Sequence, residues 1–312
     1  MDRPVAVLGA RSSIGIRPYD DGAVRHLDRA ADVLRGRDLV RRLAALDMGD
    51  VVPPPYRDFV RPANRARNES EVIVFSRSLG ARVAEAMRYR RFTVVIGGDC
   101  SVVLGCLLGA RKTGRPVGLV YVDAHADFAT PLESKTGSVA SMSLALATGR
   151  GDTPLARLAG HTSLVDSGHV ALVGRRDAAD NSYGAAALAT SPILDLPDSE
   201  LLVRASSDLA AAVLAHVTGP DLRGFWIHLD VDVMNPAVMP AVDSPEPGGL
   251  MPDELVQLLG PLVRHPQALG LNVAIYDPAL DPDRSCARRL VAFLANLIAP
   301  PDVRSVRLQA DQ

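Results

Sequence analysis

The chain has 312 residues, of which 47% are hydrophobic and 22% are charged. Its 34 basic and 36 acidic residues are mixed along the chain, so no block of like charge predicts a nucleic-acid or membrane surface. This length and composition suffice for a large core, and we expect a single domain over residues 1–312. The expected partner is therefore a small molecule.

Targeting signals and cysteine usage limit the compartment. The N-terminal stretch lacks the apolar core of a signal peptide, and no segment approaches the roughly 18 apolar residues that a membrane helix needs. The spacing of the three cysteines, Cys100, Cys106 and Cys286, matches neither a disulfide framework nor a zinc ribbon. We expect reduced cysteines and a cytoplasmic protein.

Short apolar runs alternate with segments of helical periodicity along the chain. In chain order, strands are predicted at residues 5–9, 92–100, 117–122, 169–177 and 193–196, within residues 225–236, and at residues 270–277. The predicted helices are residues 21–46, 70–89, 101–112, 142–148, 206–218, 252–263 and 286–298. Strands that alternate with helices of this length imply right-handed crossovers, and they predict an α/β fold with a mainly parallel sheet covered on both faces.

Two of the predicted strands run directly into acidic residues. Residues 116–128, PVGLVYVDAHADF, place Asp123, His125 and Asp127 on one face at the carboxyl end of a buried strand. Residues 225–236, FWIHLDVDVMNP, repeat the design with Asp230 and Asp232. Buried carboxylates are costly unless something neutralises them, and a divalent metal is the simplest partner.

A third strand ends in Asp99 and Cys100, and all three strand ends can meet at one edge of a parallel sheet, where neighbouring strands lie roughly 4.8 Å apart. Four carboxylates with one imidazole and one thiol are too many for a four-coordinate zinc. They suit two divalent ions with bridging carboxylates, and the oxygen-rich set favours manganese or magnesium. Such a pair of ions lowers the pKa of a bridging water.

Four motifs together resemble the arginase/agmatinase ureohydrolases. They are GGDCSVVLG (97–105), DAHADF (123–128), LDVDVMNP (229–236) and SPEPGGL (244–250), in the family's order and at similar separations. The resemblance implies a three-layer α/β/α fold and a centre of two Mn²⁺ ions. It also implies hydrolysis of a guanidine or related C–N bond by a metal-bridging hydroxide.

The resemblance also implies which residues hold the metals. Besides Cys100, the implied ligands are Asp123, His125, Asp127, Asp230 and Asp232. Asp123 and Asp230 would bridge the ions, Asp127 would complete the first, and the other two would complete the second. The family usually has His in a GGDH motif where this chain has Cys100. A thiolate can ligate a divalent metal, the alternative being a plain buried thiol.

The chain departs from the family where the substrate would bind. Ser138 and Ala140 stand where many members have Asn and His in a pattern like SGNLHGM. Ile275 replaces a Glu that grips the guanidinium, while Asp277, two residues on, could contact the substrate only weakly. Ala179 replaces an acidic residue that meets an α-amino group. These differences argue against ordinary L-arginine and leave small guanidino, hydroxyguanidino or amidino compounds.

Two residues are candidates for proton transfer. Asp127, or a water, would pass a proton to the leaving amine. His228 lies two residues before Asp230 on the same strand face, and it would be a hydrogen-bond donor to a carboxylate or a replacement proton carrier. The alternative for His228 is a core histidine bonded to the backbone. Glu246 could orient a catalytic group, but we favour a role in structuring its loop.

Other classes of function are weaker. The turn GARSSIG (9–15) follows the first strand, yet it lacks the G-x-G-x-x-G spacing of a nucleotide site. The extra carboxylates argue against a deacetylase with a single zinc. The main alternative is a metal-binding relative that has lost hydrolysis and serves in binding or regulation. Family members commonly form trimers or hexamers, which is compatible with a homo-oligomer, although no local stretch identifies an interface.

Overall fold

A computed structural model of the chain describes residues 3–160, 163–177 and 184–299. Its eight strands are all parallel to their neighbours and form one sheet in the order β2-β1-β3-β8-β7-β4-β5-β6. The strands are β1 Val5–Ala10, β2 Leu46–Val51, β3 Phe92–Ile96, β4 Gly118–Val122, β5 Val170–Val173, β6 Leu194–Leu196, β7 Phe225–Asp230 and β8 Ala268–Ala274.

Helices cover both faces of this sheet. The α-helices of the described ranges are α1 Ala30–Arg35, α2 Leu39–Arg42, α3 Glu69–Arg88, α4 Val102–Ala110, α5 Ser143–Ala147, α6 Ala185–Ala189, α7 Asp198–Leu201, α8 Ser206–Val217, α9 Pro252–Arg264 and α10 Ser285–Ile298. One apolar core contains side chains of α1, α2, α8, α9 and α10, and a second contains side chains of α3, α4 and α5. The predicted three-layer α/β/α architecture is confirmed.

The centre of the sheet positions the acidic motifs. Every residue of β3, β4 and β7 is buried, as expected for parallel strands covered on both faces. Val122 at the end of β4 pairs with Leu229 of β7, and Asp230 pairs with Ala274 of β8. The carboxyl ends of these adjacent strands therefore lie at the same edge, with their following loops side by side.

The prediction of one helix over residues 21–46 is wrong. This stretch contains the short helices α1 and α2, separated by Gly36 and by Asp38, whose φ of 67° is left-handed, and it ends in the edge strand β2. Most of β2 is exposed, and its sequence LDMGDV has no apolar alternation. Backbone pairing with β1 forms this strand, so no side-chain pattern could have indicated it.

Two further properties concern the helices and the cysteines. Of the helices in the described ranges, none is both long and apolar enough to cross a membrane. Cys100, Cys106 and Cys286 all lie in these ranges, where each is buried and carries a free thiol.

Candidate metal centre

The loops after β3, β4 and β7 bring two groups of metal-binding atoms together. In the first group, one ligand atom each of Cys100, Asp123, His228 and Asp230 lies within 4.8 Å of the others. In the second group, the same limit encloses atoms of Asp123, His125 and Asp232. Asp123 belongs to both groups. The structure thus brings five of the six sequence-predicted ligands together, and one of the five, Asp123, is shared by both groups.

Backbone hydrogen bonds within the motifs orient these carboxylates. The N–H of His125 donates to Asp123 Oδ1 over 2.7 Å, and the N–H of Asp232 donates to Asp230 Oδ1 over 2.8 Å. Each is an Asx turn, in which a carboxylate accepts from the backbone two residues on. The N–H of Ala124 donates to Asp232 Oδ1 over 3.0 Å and joins the two loops. The i, i+2 spacing of the motifs therefore fixes geometry as well as charge.

The crowded carboxylates fit a cation. Burial, followed by the charge of Asp232, raises the pKa of Asp123 to about 7, and the same causes raise the pKa of Asp230. Within the part of the chain that the structure describes, Asp123 Oδ2 is buried without a hydrogen-bond partner. A divalent cation at this edge would satisfy that oxygen and favour the ionised carboxylates, so the donor set fits the implied metals.

His125 faces the second group through Nδ1. This atom lies 2.9 Å from Asp232 Oδ2 and 3.5 Å from Asp123 Oδ1, while Nε2 lies 3.8 Å from Glu246 Oε1. Burial alone lowers the pKa of His125, but the hydrogen bonds to Asp123 and Asp232 raise it overall. Glu246 thus directs its carboxylate towards His125, whereas its backbone oxygen accepts a hydrogen bond from Arg176 Nη2.

Cys100 contributes a thiol to the first group. Its Sγ donates to Asp230 Oδ2 over 2.9 Å, and the side chain is buried at the carboxyl edge. Burial, followed by the charge of Asp230, raises the pKa of this thiol. A thiolate at this position therefore requires a neighbouring cation, which lowers a thiol pKa.

Asp127 lies beside the two groups but belongs to neither. Its Oδ2 accepts a hydrogen bond of 2.5 Å from the hydroxyl of Tyr121, and its φ of 46° is left-handed. Its backbone oxygen accepts from the N–H groups of Leu144 and Ala145, which ties the loop to α5. Asp127 lines the cavity above the metal-binding atoms, where its carboxylate can meet a ligand.

His228 lies below this cavity, in the sheet. Its ring stacks on Tyr121 with centroids 4.2 Å apart, and its Nε2 lies 3.8 Å from Asp123 Oδ2. Burial lowers the pKa of His228 to about 4, so the imidazole is neutral at neutral pH. The ring has no direct access to a substrate, and this placement argues against the proton-carrier role.

A cavity of about 620 Å³ opens above the two groups, and Ser138, Ala140 and Ile275 are among its walls. Ser138 Oγ accepts from the N–H of Arg17 over 3.2 Å. Asp277 is not part of this wall in the described ranges, because its carboxylate accepts from the N–H groups of His26 and Ala279. Both oxygens of Asp277 thus anchor loops through backbone N–H groups, and its contact with a substrate stays a prediction.

The expectation for Ala179 cannot be compared with the structure, and Tyr121 is a residue of the site that the sequence did not indicate. Ala179, expected to replace an acidic substrate contact, lies outside the described residues. Tyr121 is a site residue absent from the sequence-based predictions, although it lies two residues before Asp123 and therefore on the same strand face. A hydroxyl in an otherwise apolar run was the signal that could have identified it.

Arg176 is a second residue of the site that the sequence did not indicate. Its guanidinium donates to the backbone oxygens of Asp232 and Val233, over 2.8 and 3.1 Å, and its N–H donates to the oxygen of Ala124. These bonds tie the loop after β5 to the loops after β4 and β7. Arg176 therefore stabilises the metal-binding edge without providing a ligand.

Comparison with known proteins agrees with this geometry. The model of the Arginase family matches residues 13–299. An arginase from Brevibacillus brevis is 27% identical over 292 residues, which cover 92% of this chain and 96% of that protein.

Solved structures show the same fold. Arginase from Bacillus caldovelox superposes with a TM-score of 0.84 at 24% identity, covering 95% of this chain and 98% of that chain. Proclavaminate amidino hydrolase from Streptomyces clavuligerus has a TM-score of 0.70 at 18% identity, covering 96% and 91%. Since the family model spans nearly the whole chain and its motifs converge on one edge of the sheet, the chain belongs to the arginase family.

Proposed function

We propose that this protein is a hydrolase with two divalent metal ions that cleaves a C–N bond of a small guanidino, hydroxyguanidino or amidino compound. The observation that carries the proposal is the position of Asp123, whose carboxylate is common to two groups of ligand atoms beneath a cavity. A single ion would leave one of the two groups without a partner. We propose Mn²⁺ for both positions because most of the donors are oxygen atoms.

The residues divide the metal-binding work between them. Following the family resemblance, Cys100, Asp123, Asp127 and Asp230 would hold one ion, and Asp123, His125, Asp230 and Asp232 the other. The observed groups contain all of these ligands except Asp127, which lines the cavity beside them. When bound, the ions supply an activated water and stabilise negative charge that develops on the substrate. Arg176 and the Asx turns hold the ligand loops in place, so little reorganisation accompanies binding.

Asp127 is the proposed proton-transfer residue. Its carboxylate would take a proton from the attacking water and deliver it to the leaving amine, with the Tyr121 hydroxyl donating to Oδ2. Burial, followed by the charge of Asp123, raises the pKa of Asp127 in the metal-free protein. Ser138 lines the cavity, and we propose that its hydroxyl hydrogen-bonds the substrate.

The cavity wall also supports a substrate other than ordinary L-arginine. Ile275 presents an apolar side chain where a carboxylate would grip a guanidinium, and Ala140 offers no polar group. Proclavaminate amidino hydrolase, which shares the fold, carries an amidino hydrolase activity in its name. We place the reaction in the cytoplasm, where three unpaired cysteines remain reduced.

The test is a metal count followed by a substrate screen. Mass spectrometry of the manganese-loaded protein should find two ions per chain. That protein should then release urea or ammonia from one member of a panel of guanidino, hydroxyguanidino and amidino compounds, and Asp127→Ala should abolish turnover. Two bound ions without turnover on any compound would instead favour a metal-binding protein that does not hydrolyse.

A further inference from the structure

Three buried side chains, those of Trp226, Asn272 and His228, form a row of polar contacts along the sheet that ends near Asp123. Trp226 Nε1 donates to Asn272 Oδ1 over 3.0 Å, and Asn272 Nδ2 lies 2.8 Å from His228 Nδ1. Trp226 and His228 lie on β7 and Asn272 lies on β8, where it pairs in register with His228. All three side chains are fully buried, so water does not compete for these bonds.

The donor and acceptor roles in this row follow from its first member. An indole N–H can only donate, so the oxygen of the Asn272 amide must face Trp226, and the NH₂ group must face His228. The NH₂ group also only donates, and therefore Nδ1 of His228 accepts. A neutral imidazole that accepts at Nδ1 carries its proton on Nε2.

The same row argues against His228 as a metal ligand. A metal at Nε2 would require a lone pair there and would move the proton to Nδ1, where it would face the NH₂ group of Asn272 across 2.8 Å. Rotation of the Asn272 amide would then turn its NH₂ group towards the N–H of Trp226. Either arrangement sets two donors against each other in the core.

An acceptor close to the Nε2 proton of His228 is an oxygen of Asp123 that has no hydrogen-bond donor of its own among the described residues. His228 Nε2 and Asp123 Oδ2 lie 3.8 Å apart, and both are buried atoms without a hydrogen-bond partner in the part of the chain that the structure describes. A buried polar group without a partner is unfavourable, so a small approach of these two atoms is favourable. The ring of Tyr121 stacks on the imidazole with centroids 4.2 Å apart and restricts its rotation.

We propose that Trp226 and Asn272 lock His228 as a permanent Nε2–H donor to Asp123 Oδ2. His228 is then a positioning residue for the carboxylate that both ions share, and neither a metal ligand nor a proton carrier. The inference rests on the proposed function only in that Asp123 binds the ions. The proton position itself does not depend on which compound is hydrolysed, or on whether any is.

The first test is nitrogen NMR of the full-length chain with ¹⁵N-labelled histidine, without metal and with Zn²⁺ as a diamagnetic probe. His228→Gln identifies the signals of His228 by their loss. We expect the Nε2–H tautomer in both samples. A proton on Nδ1, or loss of the Nε2 proton when Zn²⁺ is added, would overturn the proposal even if the protein proves to be an active hydrolase.

The second test changes the row itself. Asn272→Asp replaces the amide by a carboxylate that accepts from both neighbours, so His228 should move its proton to Nδ1. His228→Leu removes the donor and should weaken Mn²⁺ binding about 10–100-fold, as is typical for partners of metal ligands. His228→Gln retains an N–H donor and should recover part of this loss.

His216→Gln is the matched control, because His216 is also a histidine with a buried, unpartnered ring nitrogen in the described ranges, but it belongs to neither ligand group. This variant should bind Mn²⁺ as the unmodified chain does. Unchanged Mn²⁺ affinity in a folded His228→Leu variant would overturn the positioning role. If that variant does not fold, the tautomer measured in the unmodified chain decides the proposal.

Discussion

Cys100 gives the first group of ligands its distinctive chemistry. Its sulfur lies among oxygen donors and donates to Asp230, so a bound ion would meet one soft and several hard ligands. Soft thiolates favour zinc and iron over manganese. The identity of this one atom should therefore influence both the number of ions retained and the choice between metals.

Replacing Cys100 should change metal content in a graded way. Cys100→Ala removes a ligand and should leave about one ion per chain after dialysis, whereas Cys100→His should retain two and bind Mn²⁺ in preference to Zn²⁺. Mass spectrometry of the dialysed proteins provides the measurement. Cys106→Ala is the control, because Cys106 is an equally buried thiol in α4 that belongs to neither group. Two ions in Cys100→Ala would show that the thiol does not ligate.

Ile275 has an unusual backbone conformation for its residue type. Its φ of 67° is left-handed, which is strongly disfavoured for a β-branched side chain, and a strained residue of this kind costs roughly 1–3 kcal/mol. Its N–H donates to the oxygen of Gly98, so the turn that follows β8 is held against the turn that follows β3. With this backbone conformation, the side chain of Ile275 lies in the cavity wall.

Introducing a carboxylate at this position should shift substrate preference. Ile275→Glu places an acid beside the cavity, and we expect kcat/KM for a cationic alkylguanidine to rise about tenfold, the effect of roughly 1.4 kcal/mol of added transition-state binding. Ile275→Gln matches the shape without the charge and should not produce the rise. Equal effects of the two substitutions would mean that charge at this wall does not determine specificity.

A feature of the site could be predicted from the sequence where residues close together in the chain determine it. Asp123 and Asp230 were identifiable because strand burial and i, i+2 spacing are written in the sequence. The displacement of Asp127 towards Tyr121 depends on a left-handed turn, and the use of Asp277 as a loop anchor depends on the N–H of His26, which is distant in sequence. Such contacts exist only once the chain is folded.

At the scale of elements, the loop at 129–137 is tied to the segment after α5. Arg150 donates to both oxygens of Glu133, over 2.6 and 2.8 Å, and also to the backbone oxygen of Phe128. The hydrogen bonds from Arg150 are the main cause that lowers the pKa of Glu133 to about 2. The pair therefore stays ionised down to pH values well below neutral and fastens the loop beside the cavity.

Removing this pair should loosen the loop without unfolding the sheet. Glu133→Gln is expected to speed trypsin cleavage at the exposed Lys135 about fivefold, because a partly exposed ion pair contributes up to about 1 kcal/mol. Limited proteolysis followed by mass spectrometry locates the cut. Glu85→Gln, which removes a surface ion pair to Arg82 within α3, should leave cleavage at Lys135 unchanged. An intact loop in Glu133→Gln would refute the role.

Elements were predictable where burial imposes a pattern. The apolar runs of β3, β4 and β7 and the periodicity of α3, α9 and α10 indicated their positions, because these residues face a core. The edge strand β2 has no such pattern, and the interruption between α1 and α2 depends on the left-handed Asp38. The predictions that were wrong concern segments whose structure is set by backbone pairing or by a single dihedral angle.

At the scale of the whole molecule, the sheet gathers negative charge at its centre. The three strands that end in the acidic motifs and Cys100 are drawn from widely separated parts of the chain and become near neighbours only through the order β3-β8-β7-β4. Folding without a cation therefore brings like charges into a buried space. The stability of the metal-free protein should reflect this cost, and it should do so in a pH-dependent way.

The sign of the dependence follows from two groups. In the metal-free folded protein the pKa of Asp123 is raised to about 7, and the pKa of His125 is raised above its usual value. In the unfolded chain the two groups lose their protons near pH 4 and pH 6.5. The folded state therefore holds protons that the unfolded chain has released, on Asp123 between about pH 4 and pH 7 and on His125 above pH 6.5. The metal-free stability falls as the pH rises through these windows, because the unfolded chain releases its protons at lower pH than the folded chain does.

A bound ion requires ionised Asp123 and neutral His125, so protons compete with the metal. The apparent affinity should strengthen by up to about tenfold per pH unit for each displaced proton, and the rise in melting temperature on adding Mn²⁺ should be larger at pH 8 than at pH 6.5. Calorimetry at both pH values, with fixed Mn²⁺, measures the difference. Asp123→Asn removes the shared carboxylate and should reduce the rise at both values. A Mn²⁺-induced rise that is equal at pH 6.5 and pH 8 would contradict proton displacement from this edge of the sheet.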